Sequence, residues 1–273
     1  MTEQSVISIL GGVGFAVAGI ASYPHSRRPT LWITAILRVA ACLAIAADIL
    51  HLFLATRRVG LVEALQGNFS AAVLMGMLVG LVALGAHLSA KLKGLDGFLF
   101  GLAAILSFLE LATIYQPTVE MTSRPWFISH GLAFSLSATF FIAGGAAGVA
   151  YLLVSRMLRR KNGSRLVGSV ASLESLERFG RWMPIIGFPL FTYGILTGLC
   201  GVAHRPDLKH STWYLDPTFM LSVIAWVVYA YLTIASLYGP HIRARRAAML
   251  STYGLGLIVV AFFVREFSSR LHQ

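Results

Sequence analysis

The sequence predicts an all-α integral membrane protein, a single domain built from a bundle of about eight transmembrane helices with both termini outside. Three observations carry this. Of 273 residues, 57% are hydrophobic and only 12% are charged, against about 25% charged in a soluble domain. Apolar runs of about 20 residues, enough to cross a hydrocarbon core of roughly 30 Å, recur along the whole length. The basic residues fall in the short segments between those runs, as membrane topology requires. The net charge of +11 therefore reads as a topological signal, and nucleic acid is excluded as a partner.

In chain order the expected helices are 5–23, 31–55, 69–90, 98–116, 128–155, 182–203, 218–238 and 247–268. Gly and Pro punctuate their ends at Pro24, Pro29, Gly67, Gly94, Pro117, Pro125, Pro217 and Pro240. The glycines within 11–14 and 143–148 read as helix-packing surfaces. The longest connection, 156–181, repeats Leu166, Val170, Leu173 and Leu176 at helical spacing between charged residues. It is expected to be a short amphipathic helix on the membrane surface, tethering two parts of the bundle. No basic stretch precedes the first apolar run, so no cleaved signal peptide is expected.

Loop charge sets the orientation. The segments after helices 1, 3, 5 and 7 hold Arg27, Arg28, Lys91, Lys93, Arg156, Arg159, Arg160, Lys161, Arg165, Arg178, Arg181, Arg243, Arg245 and Arg246. The opposite side holds about half as many: Arg57, Arg58, Arg124, Arg205, Lys209, Arg265 and Arg270. The richer side is cytoplasmic. His25, His87 and His241 then go inside. His51, His130, His204, His210 and His272 go to the outer half or outer surface, with Asp48, Glu110, Trp126, Trp213 and Asp216.

Ionisable residues within spans are costly, by roughly 2.5–3.5 kcal/mol each on insertion scales, and usually face a bundle interior or a cavity. Asp48 and His51 share a face of helix 2. They read either as a ligand or proton relay, with Asp48 or Glu110 orienting His51, or as polar groups locking helices 2 and 4 together. Arg38 reads as a snorkelling side chain or the partner of a buried acid. A lone His130 or Trp126 would be ordinary interfacial residues. Several outer imidazoles beside Trp213 point instead to axial ligation of haem iron. Cys42 and Cys200 both lie in apolar runs and form no CxxC or CxxCH motif. No Glu-x-x-His pair, nucleophile–base pair or phosphate loop is present.

Residues 187–202 (GFPLFTYGILTGLCGV), 213–230 (WYLDPTFMLSVIAWVVYA) and 239–254 (GPHIRARRAAMLSTYG) resemble the cytochrome c assembly family, which holds the CcsA, CcmC, CcmF and HemX types. Residues 172–178 (SLESLER) resemble the linker of CcsA and HemX types, and Leu271-His272 the family's end. The likeness is strongest over 125–273.

The resemblance implies a haem-handling protein of cytochrome c biogenesis, binding or presenting haem at the outer membrane face. The haem is b-type and non-covalent, with His130 and His272 as iron ligands and His51 as a ligand deeper in the bundle. Trp213, Asp216 and Trp226 shape the pocket. It further implies a place in a haem lyase (cytochrome c synthase) system, with a CcsB-like membrane partner and apocytochrome c, in the bacterial cytoplasmic (inner) membrane. The chain departs from the CcsA pattern at Leu215, Thr218 and Leu221, where Trp, Lys and Trp stand, and near Ile234, where a second membrane histidine stands. Those departures keep two alternatives open: a HemX-like accessory or regulatory protein without haem transfer, and a membrane redox-complex subunit, for which Arg38, Asp48 and Glu110 speak.

Overall fold

The computed structural model describes residues 3–27, 30–60, 68–112, 125–159, 171–203, 213–238 and 244–271. Among these residues lie eight α-helices and no strand: α1 Glu3–Arg27, α2 Leu31–Val59, α3 Asn68–Leu88, α4 Leu95–Ala112, α5 Pro125–Arg159, α6 Leu173–Ala203, α7 Pro217–Leu237 and α8 Ala244–Leu271. Six are long and apolar enough to cross a membrane: the runs Ser5–Ser26, Leu31–Arg58, Ala71–Leu88, Ile128–Arg159, Leu173–Ala203 and Pro217–Leu237. Large apolar side chains such as Trp32, Leu43, Ile105, Leu196 and Val227 point outward. In lipid that is the solvated face, and helices satisfy their own backbone there.

Local chemistry fixes the ends. The Thr30 hydroxyl accepts from the Ile33 amide, 3.4 Å, and opens α2. Gly60 closes it at φ +90°, a conformation open to glycine, while its N–H donates to Thr56 O. Helix α5 starts at Pro125, earlier than expected, because proline's missing N–H costs nothing at a first helical position. In the connection 156–181, residues 156–159 are the end of α5. Residues 160–170, including Leu166 and Val170, lie outside the described set. Residues 173–181 are the first turns of α6 itself. The Ser172 hydroxyl accepts from the Ser175 amide, 3.1 Å. Arg178 pairs with Glu174 and Arg181 with Glu177, one turn apart. Leu176 is buried.

Sequential helices run antiparallel. Gly11 lies against Asp48 and Gly14 against Ala40 and Ala44, joining α1 to α2. Gly76 meets Ala103 and Ser107 between α3 and α4. In α5, Gly144 faces Met183 of α6, while a Cβ on Gly148 would fall 2.7 Å from Ala248 O of α8. Both predicted glycine surfaces thus let helices approach closely, as small residues do in membranes. Helices α1–α4 and α5–α8 form two halves, joined where α5 packs on α3 and α4. The buried core runs through both, from Phe15, Leu99 and Phe100 to Ile142, Ala146 and Met183. A backbone bond from Ala171 N–H to Lys93 O, 2.7 Å, fixes the α3–α4 turn beside the start of α6.

Candidate functional site

With the helices alternating and the α3–α4 turn beside the start of α6, the starts of α1 and α5 share one end of the bundle. That end carries His51 and His130; the opposite end carries His25 and His87. The loop-charge sorting of these four histidines is therefore matched by the packing. His204, His210, His241 and His272 lie outside the described residues, as does the side chain of Glu110.

His51 is fully buried in α2, and its Nδ1 lies 3.0 Å from the Ser8 hydroxyl of α1. Asp48, three residues earlier and also fully buried, turns another way. Its Oδ2 accepts from Ser107 of α4 at 3.4 Å. Among the described residues its Oδ1 is buried without a hydrogen-bond partner, seated over Gly11, where a Cβ would collide with it. Asp48 makes no hydrogen bond to His51, so the expected orienting role is not made by this carboxylate. Sharing a helix face brings two side chains near each other, but each has found a serine on a different neighbouring helix. The interhelical lock between α2 and α4 is present, through Ser107. Arg38 is exposed, and among the described residues it makes no ion pair with a buried acid.

His130 sits in the second turn of α5, against α6. Its Nδ1 is 2.7 Å from Gly194 O. A carbonyl can only accept, so Nδ1 carries the proton, and in the neutral form of the ring the lone pair is on Nε2. This is the tautomer in which imidazole binds metals, with the second nitrogen held by a carbonyl. Gly198, one turn on, makes room: a Cβ there would lie 2.9 Å from Nδ1. The ring also rests 5.5 Å from Phe134.

The aromatic segment approaches along α7. The Trp226 indole N–H donates to the Thr192 hydroxyl of α6, 3.0 Å, and its ring lies 5.5 Å from Phe188. Thr192 is two residues before Gly194, so Trp226 meets α6 within about two turns of the His130 seat. Asp216 caps α7: its Oδ1 accepts from the amides of Thr218, 2.7 Å, and Phe219, 3.2 Å, with Pro217 in the first helical position. It is exposed and fixes where the segment enters the bundle. Trp213 begins a short 3-10 turn, Trp213–Leu215, but its side chain is outside the described set. His130 thus sits on the α5–α6 contact and Trp226 on the α6–α7 contact, with Asp216 exposed at the start of α7, while His51 is enclosed in the other half.

Sequence reasoning missed Ser8, Ser107, Gly194 and Gly198. The serines lie 43 and 59 residues from their partners, with no local signal. The spacing Gly194-x-x-x-Gly198 is a small-residue motif that could have been read. A third cluster was also missed. The His87 Nδ1–H donates to Asp96 Oδ2, 3.0 Å, and the His25 ring lies 4.9 Å from that of His87. No group of three or more His, Cys, Asp or Glu among the described residues is arranged to hold a metal ion.

Fold and site together define a multi-pass helical membrane protein with an imidazole seated on a backbone carbonyl near one end of its bundle. The sequence profile of the cytochrome c assembly protein family matches residues 33–272, and the chain belongs to that family. No curated protein and no solved structure matches it. Membership places the chain in cytochrome c biogenesis, a membrane process that handles haem and apocytochrome c.

Proposed function

We propose that this chain binds b-type haem non-covalently through His130 and His272 and presents it at the outer membrane face for attachment to apocytochrome c. It would act with a CcsB-like partner in the bacterial cytoplasmic membrane, its own termini outside. The observation that carries this reading is the His130–Gly194 bond, which commits Nδ1 to a carbonyl and keeps Nε2 in the ligating form. The donor type fits: neutral imidazole is a common axial ligand of haem iron. Haem would supply the vinyl groups that react with apocytochrome thiols. The chain supplies position: Gly194 and Gly198 seat the ring of His130, Asp216 anchors the α7 segment, and Trp213 and Trp226 offer aromatic surface to a flat ligand. His51 is a deeper candidate ligand on the same end.

The test is the absorption spectrum of protein purified from haem-replete membranes. A Soret band is expected in wild type, lost or shifted in His130→Ala and His272→Ala. No band, or an identical band in both variants, overturns the reading. A second reading, a HemX-like accessory protein without haem transfer, is favoured by α7: it contains no histidine, and Ile234 points outward where a membrane ligand would be needed. Retained c-type cytochromes in a deletion strain would select it.

A further inference from the structure

We propose that the cleft between the end of α5 and the start of α8 is a binding site for an anionic phospholipid. The cleft has a volume of about 590 Å³, within the range of small-ligand sites. Three guanidinium groups line it: Arg156 and Arg159 from the last turns of α5, and Arg245 from the first turn of α8. No acidic residue is among its lining residues. None of the three arginines has an ion-pair or hydrogen-bond partner among the described residues. Their neighbours at the same end behave otherwise, since Arg178 and Arg181 are each paired with a glutamate.

Charge at a helix end follows from topology and from the helix dipole, and Arg156 and Arg159 satisfy both rules at the α5 C-terminus. Topology also accounts for Arg245, but the helix dipole does not. It stands at a helix N-terminus, where a cation is disfavoured, and it completes a cluster across a gap between two helices. Like charges brought together in this way call for an anion. The rest of the wall defines which anion. Leu152 and Met249 are apolar and half-buried, and Tyr253 adds a hydroxyl on a largely exposed ring. A free phosphate would leave this apolar wall uncovered. A phospholipid places its phosphodiester among the guanidinium groups and its upper chain along Leu152 and Met249. Basic pockets between membrane helices bind anionic head groups on this principle.

The full chain in mild detergent is offered phosphatidylglycerol and phosphatidylcholine in equal amounts, and bound lipid is read by native mass spectrometry. Retention of phosphatidylglycerol over phosphatidylcholine by about tenfold is expected, within what three basic contacts near a membrane surface allow. The triple variant Arg156→Gln/Arg159→Gln/Arg245→Gln loses the preference. Met249→Trp, which fills the cleft and leaves the charges, loses the bound lipid, and Arg178→Gln changes neither. Equal retention of the two lipids, or an unchanged preference in the triple variant or in Met249→Trp, overturns the proposal. So does release of the lipid by equimolar inorganic phosphate or haem, which would assign the cleft to a different anion.

Discussion

The two described histidines at the α1 and α5 starts of the bundle occupy opposite kinds of environment. His51 is fully enclosed in the first half, its ring bonded to a serine across a helix contact. His130 is half-exposed in the second half, its ring bonded to a backbone carbonyl beside two glycines. A side-chain hydroxyl can donate or accept, so Ser8 leaves the His51 tautomer open. A carbonyl cannot, so Gly194 fixes that of His130. The same residue type therefore bridges to a side chain in one half and to the backbone in the other.

Five substitutions would break or sharpen this contrast. His51→Ala is expected to destabilise most, by about 2–4 kcal/mol, from the cavity and the stranded Ser8. His130→Ala should cost under about 1 kcal/mol, as for other partly exposed positions. Unfolding in mixed micelles measures both, and the reverse order would undo the comparison. Next comes Gly11→Ala, which drives a methyl into Asp48 Oδ1 and should cost about 1–3 kcal/mol by overpacking. An unchanged unfolding midpoint would show that Asp48 can swing clear. Gly198→Ala presses on the His130 ring. Its expected signature is a changed Soret band with a stability loss of about 1 kcal/mol; a spectrum identical to wild type would mean that the seat does not set the ring. Trp226→Phe removes the bond to Thr192 and should cost about 0.5–1.5 kcal/mol, with thermal denaturation as the readout.

Much of the fold was legible because a bilayer imposes a single rule on every span. The hydrophobic runs announced all eight helices, and Pro and Gly marked most of their ends. The start of α6 was not legible as such, because polar turns such as Glu174–Arg181 leave the apolar run while remaining helical. The site was legible only in part. His51 and His130 stood out as ionisable or aromatic-flanked residues, but what they touch depends on which helices meet. Sequence placed Asp48 beside His51; packing gave Asp48 to Ser107. Asp216 followed by Pro217 is a capping signature that could have been read, since two amide bonds make it the cap of α7. Its further part in shaping a pocket belongs to the proposal.

The backbone bond between Ala171 and Lys93 spans the two halves of the molecule. A chain made from its N-terminus completes the α3–α4 turn well before α6 emerges. The carbonyl of Lys93 is then already in place as a landing point for the incoming segment. Assembly of the second half is in this sense guided by a half that was finished first, and fragments divided between α4 and α5 are expected to find each other when made together in one membrane.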